Sequence, residues 1–185
     1  MMRGRPALHV VVPLVAEEQL ETSALDPATA FRRYASYVAA VAHRLLGRDQ
    51  EVDDTVQEVF LAAIRGLSTV REPAAVKGWL ARITVRVVRR RLRVRRARML
   101  FGLDQVPARA LAVDESASGE QRALLASVYR VLDAIPSDLR IAWVLRHIEG
   151  ERLEDVATLA GCSLATAKRR IAAAEQRIGE ALDES

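Results

Sequence analysis

The chain has 185 residues, half of them hydrophobic but only 4% aromatic, a length that allows one medium domain or two small ones. Its formal net charge is +4, from 28 basic and 24 acidic residues, which permits a polyanionic partner without demanding one. One cysteine excludes an intramolecular disulfide, and no apolar run reaches the roughly 20 residues of a membrane helix, so we expect a cytoplasmic protein without metal or other cofactors.

Three helices are predicted after an N-terminal arm at residues 1–25. Asp26-Pro27 is typical of a helix start, and Gly47 is typical of a helix end. The apolar residues between them recur at helical spacing: Phe31, Tyr34, Val38, Val41 and Leu45. A second helix is predicted from about Gln50 to Arg65, and Pro73 opens a long third helix. We assign residues 26–98 to a first domain.

Residues 99–119 are broken by Gly, Pro and Ser and predict a linker. The following helix begins near Glu120 and ends at Pro136, and the next one stops at Gly150. A short helix at Leu153–Ala160, a turn at residues 161–163 and a helix at Leu164–Ile178 complete the chain. The predicted fold is all-α, with two small helical domains, 26–98 and 120–185, joined by a flexible linker.

The last two helices have the form of a helix-turn-helix, a short helix and a longer basic one joined by a glycine-containing turn. Ser163 is expected to cap the second of these helices. Several polar side chains lie near its start, where a recognition helix would enter a major groove: Thr166, Lys168, Arg169 and Arg170. The alternative is an ordinary helical hairpin with a solvated basic face.

The third helix is rich in arginine, and no acidic residue occurs from Pro73 to Leu103. Such a run repels itself, and a phosphate backbone would relieve the repulsion while releasing counterions. A solvated charged face is the alternative.

The second helix is acidic instead, with Asp53, Asp54, Gln57 and Glu58 expected to be exposed. These polar residues either stabilise the helix N-terminus through their acidic members or meet a protein partner, and the residues alone leave both interpretations open.

Two stretches of the chain together resemble a known family. Asp53-Asp54-Thr-Val-Gln57-Glu58-Val-Phe60, followed by Trp79-Leu80-Ala-Arg82-Ile83, resembles the second conserved region of extracytoplasmic-function (ECF) sigma factors. Residues 135–157 and 163–168 resemble the fourth. The resemblance implies a factor that binds core RNA polymerase, directs it to promoter DNA and promotes melting. It also implies an anti-sigma protein as a partner, and we expect a monomer when free.

The resemblance, together with the charge pattern, assigns three sets of residues. The polymerase-binding set is Asp53, Asp54, Gln57 and Glu58. The set for the minus-ten element is Arg71, Lys77, Arg82, Arg86, Arg89, Arg90 and Arg93. The set for the minus-thirty-five element is Ser163, Thr166, Lys168, Arg169 and Arg170.

The chain departs from the family pattern at several of these places. Val70 stands where an aromatic residue is frequent, Arg86 where Asn is frequent and Arg90 where Asp is frequent. Ala173 replaces a frequent arginine in the recognition helix. The minus-ten preference of other members therefore does not transfer. The alternative function is a helix-turn-helix regulator that binds duplex DNA without joining the polymerase. No catalytic constellation is present in the sequence, so an enzyme is not expected.

Overall fold

A computed structural model describes residues 26–47, 49–67, 70, 72–102 and 118–183. Regular secondary structure in these residues is entirely helical, which confirms the all-α prediction. The α-helices are α1 (Pro27–Leu46), α2 (Val52–Ile64), α3 (Pro73–Leu100), α4 (Gly119–Ala134), α5 (Ser137–His147), α6 (Leu153–Ala160) and α7 (Leu164–Asp183). Residues 1–25 and 103–117, which hold the predicted arm and most of the linker, lie outside the described residues. None of the seven helices is long and apolar enough to cross a membrane.

Most helix ends follow the local signals. The carboxylate of Asp26 accepts hydrogen bonds from the backbone N–H groups of residues 28 and 29, at 2.9 and 3.0 Å. Gly47 ends α1 in the left-handed conformation, with φ +64°. Several bounds differ from the prediction, and α5, for example, ends at His147 before Gly150. A 3-10 turn at Asp49–Glu51 delays the start of α2 to Val52. Helix α7 continues past Ile178 to Asp183, because Leu182 still packs on the core.

The first three helices pack around one apolar core. Its buried residues come from α1, α2 and α3: Ala30, Val38, Val56, Val59, Phe60, Ala63, Val76, Leu80, Ile83 and Val87. The stripe predicted for α1 is wrong at its first member, because Phe31 is 46% exposed. Its ring meets Phe60 edge-on, with centroids 4.9 Å apart.

Helix α3 is buried on a second side as well, because α4 to α7 share a core with α1 and α3. Residues of the first three helices contribute Val41, Leu45, Val85, Val88 and Leu92 to this shared core. Residues of the last four contribute Val128, Leu132, Ile141, Leu145, Val156, Ile171 and Ile178 among others. The two predicted domains therefore pack directly against each other, although their exact bounds stay a prediction.

A polar seam runs beside this shared core, at the C-terminal end of α1. The last carbonyls of a helix lack partners within the helix, and here the second half of the chain supplies them. The Tyr129 hydroxyl donates to the carbonyl of Arg44 at 2.6 Å. Arg140, only 1% exposed, donates through Nε to Leu45 at 2.8 Å and through Nη2 to Leu46 at 2.7 Å. Its charge is balanced by Asp133.

Candidate nucleic-acid and protein interfaces

The N-terminal half of α2 presents an acidic face. Asp53, Asp54 and Gln57 are exposed there, as expected. Glu58 was expected to be exposed as well, and that expectation is wrong, because its side chain is only 26% exposed. It forms an ion pair with Arg90 and lies 3.2 Å from Nη2 of Arg91. The folded helix pair thus uses Glu58 within the molecule and leaves the other three polar side chains outside.

The same face of α2 continues as an apolar surface. Leu61 is 66% exposed and Ile64 is 53% exposed. Positions 54, 57, 61 and 64 are three or four residues apart and so lie along one side of a helix. Sequence reasoning missed Leu61 and Ile64 as candidate contact residues. The available signal was that neither belongs to the inner stripe of α2, so two large apolar side chains remained without a predicted partner.

The arginines of α3 fall into two groups. Arg82 and Arg86 are exposed, and neither has an ion-pair partner among the residues that the structure describes. The second group is paired with acids from other helices, which a search along α3 alone does not find. Arg90 pairs with Glu58, whereas Arg89 and Arg93 pair with Asp138 of α5. The lack of acids within α3 is therefore compensated in part by tertiary packing.

Two further members of the predicted minus-ten set contribute less to an open basic surface. Lys77 is half-buried, and its Nζ lies 5.0 Å from the centroid of the Tyr37 ring, within the range of a cation–π contact. Arg71 lies outside the described residues. Trp79 is half-buried and packs on the first core, as expected for a packing residue. Arg82 and Arg86 are thus the members best placed to meet a ligand.

Helices α6 and α7 have helix-turn-helix geometry. Gly161 ends α6 with φ +61°, a conformation that glycine adopts without steric cost. Ser163 then caps α7, because its Oγ accepts from the backbone N–H of Thr166 at 3.2 Å and lies 2.9 Å from the Thr166 hydroxyl. Both side chains are therefore engaged in ending the turn, a structural role in addition to the DNA contact proposed for them.

The start of α7 carries the predicted recognition residues. Lys168 and Arg169 are exposed and, in the part of the chain that the structure describes, have no ion-pair partner. Arg170 is half-buried, and its Nη2 lies 3.4 Å from Oδ2 of Asp138. The recognition surface available in this conformation therefore rests on two side chains rather than three.

Comparison with known proteins shows the family to which this chain belongs. Residues 30–98 match the family model for sigma-70 region 2. The chain is 33% identical over 159 residues to the ECF RNA polymerase sigma factor SigE of Mycolicibacterium smegmatis. The matched segment covers 82% of this chain and 59% of that protein. It is 31% identical over 160 residues to the RNA polymerase sigma-H factor of Pseudomonas aeruginosa, covering 81% and 82%. The chain belongs to the ECF sigma factors.

A solved structure supports the same fold for this sigma factor. It is the sigma factor RpoE in complex with the anti-sigma factor NepR from Bartonella quintana, with a TM-score of 0.63 and 22% sequence identity. The match covers 84% of this chain and 96% of that one. Since the family is defined by action with RNA polymerase, the alternative of a regulator that works without the polymerase is not favoured. The chain spans 59% of the mycobacterial relative's length.

Proposed function

We propose that this ECF sigma factor binds core RNA polymerase, directs it to promoters and promotes DNA melting for transcription initiation. The observation that carries the proposal is the separation of charge within one small domain. An exposed acidic face on α2 belongs to the same three-helix unit as Arg82 and Arg86 on α3, which are exposed and have no ion-pair partner among the described residues. The acidic face repels DNA and suits a protein, whereas the arginines suit phosphate. The protein acts by binding, without catalysis of its own, in the cytoplasm, where the polymerase acts.

The polymerase contact in this proposal combines polar and apolar side chains. Asp53, Asp54 and Gln57 supply charge and hydrogen-bond acceptors, and Leu61 and Ile64 supply apolar area next to them. Such a combination is favourable for a protein interface, because burial of exposed apolar surface adds affinity while polar groups set orientation. Glu58 lies next to this surface and forms an ion pair with Arg90 of α3.

The two DNA contacts are assigned to different helices. Arg82 and Arg86 on α3 meet the minus-ten element, and α7 enters the major groove of the minus-thirty-five element with Lys168 and Arg169 leading. Arginine suits both tasks, because its planar guanidinium group binds phosphate and guanine edges through paired hydrogen bonds. Four further members of the predicted sets become available when their present ion pairs open: Arg89, Arg90, Arg93 and Arg170.

A reconstituted transcription assay tests the proposal. Purified core polymerase and a promoter library are incubated with the full chain, and promoter-dependent transcripts are expected only when the chain is present. Asp54→Lys should weaken binding to core polymerase and transcription by about tenfold or more, a loss of roughly 1.4 kcal/mol or more. Asp54 is the better choice than Glu58 for this reversal, since Glu58→Lys would also break an internal ion pair.

Glu120→Lys is the matched control, because Glu120 is an exposed acid in the first turn of α4, away from α2. It makes the same charge change and should leave polymerase binding at the wild-type level. Equal losses in the two variants would contradict the assignment of the polymerase contact to α2. Failure of the wild-type chain to support any promoter-dependent transcript would contradict the proposed function as a whole.

We also propose that an anti-sigma protein binds this chain. The similar structure from Bartonella quintana is a complex of a sigma factor with an anti-sigma factor, and the exposed apolar residues of α2 offer a surface that such a protein can cover. A chain held in this way should lose both polymerase binding and transcription, and should regain them on release. Co-purification of the full chain from its host, followed by transcription with and without the captured partner, measures this directly.

A further inference from the structure

Asp138 lies in the first turn of α5, between arginines of α3 and an arginine of α7. Nε of Arg89 lies 2.8 Å from its Oδ1, although the N–H is not aligned for a hydrogen bond. Nη2 of Arg93 and Nη2 of Arg170 each lie 3.4 Å from its Oδ2. One carboxylate thus contacts three arginines from two different helices. We call this group, Asp138 with Arg89, Arg93 and Arg170, the Asp138 clamp.

The three arginines of the clamp belong to the surfaces proposed for DNA. Arg89 and Arg93 are on α3, in the minus-ten set, and Arg170 is on α7, in the minus-thirty-five set. Arg89 makes a second contact across the same junction, because its Nη2 donates to the carbonyl of Ala160 at 2.6 Å, at the C-terminal end of α6. A cation at that end of a helix is favourable. The clamp therefore joins the arginine helix to the helix-turn-helix.

A carboxylate and a phosphate compete for the same guanidinium groups. The carboxylate is planar and the phosphate is tetrahedral, but both are oxyanions that accept charge-assisted hydrogen bonds from arginine. While Asp138 holds the three arginines, they are neutralised and turned toward the junction between the two halves of the chain. Phosphate contact through the N–H groups that face Asp138 requires that the ion pair open first.

The clamp does not act alone, because the seam at the end of α1 holds the two halves together in the same conformation. Tyr129 and Arg140 satisfy the carbonyls of residues 44 to 46, and Arg44 forms a bidentate ion pair with Glu149. These contacts keep α5 in place beside α1 and α3. The packing of α5 therefore fixes the position of Asp138 beside the arginines.

We propose that Asp138 is an internal phosphate mimic that keeps the free protein in a state of low DNA affinity. The proposal rests on the proposed function, since it assigns a regulatory device to the same DNA-binding surfaces. In the free chain, Asp138 occupies Arg89, Arg93 and Arg170. Separation of the two halves frees Arg89 and Arg93 from Asp138, whereas Arg170 lies in the same half as Asp138 and is freed only when that ion pair opens.

The test uses the full chain without polymerase and a fluorescein-labelled duplex of random sequence, because phosphate affinity does not depend on sequence. Anisotropy titrations at several salt concentrations give both the affinity and its salt dependence. Asp138→Asn should bind about tenfold more tightly than wild type, on the order expected when one charged contact no longer competes. The slope of log affinity against log salt should steepen by about two to three units, since each phosphate contact adds about 0.9.

Glu120→Gln is the matched control, because it removes one exposed negative charge from α4 without touching the clamp. It should change the slope by less than one unit. A second measurement places Asp138→Asn in an Arg89→Ala background, where the gain in affinity should shrink because one of the freed arginines is absent. A gain of equal size in both backgrounds, or an Asp138→Asn slope no steeper than that of Glu120→Gln, overturns the proposal.

The proposed function is judged by a different readout. Transcription by core polymerase with the wild-type chain tests whether the chain is an initiation factor, whatever the random duplex shows. If transcription occurs and Asp138→Asn binds the duplex as wild type does, the clamp is wrong and the function stands. If the clamp result holds and no transcription occurs, the device is real for DNA binding and the proposed function is wrong.

Discussion

Arg169 is the side chain of α7 for which burial and charge give the clearest role. It is exposed near the start of the recognition helix and has no ion-pair partner in the described part of the chain, whereas its neighbour Arg170 pairs with Asp138. Ser163 and Thr166 are already engaged in capping the helix. A base-reading role therefore falls first on Arg169, with Lys168 beside it.

We expect Arg169→Ala to relax the preference for one base of the upstream element. Loss of a bidentate contact to a base edge costs about 1–3 kcal/mol of discrimination, whereas loss of a phosphate contact weakens all sequences alike. Transcription from a library randomised in the upstream element measures the difference. Lys168→Ala is the comparison variant. An unchanged base preference for Arg169→Ala would assign the base contact elsewhere.

Gly47 combines two constraints at the end of α1. Its φ of +64° is unfavourable for residues with a Cβ, and a Cβ placed there would lie 2.4 Å from Cδ1 of Tyr129 and 2.9 Å from Nη2 of Arg140. We expect Gly47→Ala to lower the free energy of unfolding by about 2–4 kcal/mol, from the backbone conformation and the overpacking together. Urea unfolding followed by circular dichroism measures this loss.

Gly78 provides the control for that substitution. It lies within α3, and a Cβ there would meet nothing within 4 Å. Alanine is the better helix former, so Gly78→Ala should raise the free energy of unfolding by about 0.5–1 kcal/mol. Similar unfolding midpoints for the two variants would show that the contact between Gly47 and the Tyr129 ring is not part of the folded state in solution.

Helix α3 carries most of the proposed strand opening. Arg82 and Arg86 are exposed and unpaired among the described residues, and Val70 and Ala81 offer no ring on which a base could stack. Bases that leave the duplex must gain new contacts, which stacking or backbone electrostatics supplies. In this chain the balance favours electrostatics, with the guanidinium planes available for stacking as well.

Open-complex formation should therefore fall steeply as salt rises. Arg86→Ala should reduce the log–log salt slope by somewhat less than one unit, since a contact to single-stranded DNA contributes about 0.7. Permanganate footprinting of a promoter selected with the holoenzyme measures opening at each salt concentration, and Trp79→Phe is the comparison. Normal opening by Arg86→Ala with an unchanged slope, together with loss of opening in folded Trp79→Phe, would assign the work to stacking.

Local patterns were sufficient to predict the helices. The Asp26 cap, Pro73 and Gly161 place helix ends correctly, because capping and turn chemistry act over a few residues. The pairing of Glu58 with Arg90 and of Asp138 with three arginines was not predictable in this way. Residues 58 and 90 are 32 positions apart, and only the packing of α2, α3 and α5 brings such partners together. Charge counts along one helix therefore overstate how much charge is free.

The sequence indicated two domains and a linker but not the contact between the domains. The sequence favours one apolar stripe along α3 from Val76 to Leu92, yet Leu92 lies with Val85 and Val88 in the core shared with α4 to α7 and not in the first core. The apolar residues of α3 lie on two sides of the helix, and the exposed arginines lie between them. In the sequence alone, this pattern fits one broad apolar stripe equally well. The burial of Arg140 was not predictable from local sequence either, since two of its three partners are backbone carbonyls 94 and 95 residues earlier.

The contact between the two halves should make the stability of the free protein sensitive to alkaline pH. Burial raises the pKa of Tyr37 to about 12 and raises the pKa of Tyr129 further, and both rings pack in the shared core. The unfolded chain ionises its tyrosines near pH 10, whereas the folded chain keeps these two protonated. Stability that is fully present below about pH 10 is therefore lost as pH rises towards the folded pKa values.

Urea unfolding between pH 8 and about pH 12 tests this expectation, within the range set by the unfolded and folded tyrosine pKa values. Tyr37→Phe and Tyr129→Phe should each flatten the fall in stability, because phenylalanine cannot ionise. Tyr129→Phe should also lower stability by about 1 kcal/mol at neutral pH, because the hydrogen bond to the Arg44 carbonyl is lost. Tyr34→Phe is the matched control, since Tyr34 packs on the first core only. If Tyr34→Phe flattens the profile as much as Tyr129→Phe does, the alkaline loss reflects unfolding of the first three helices and not separation of the two halves.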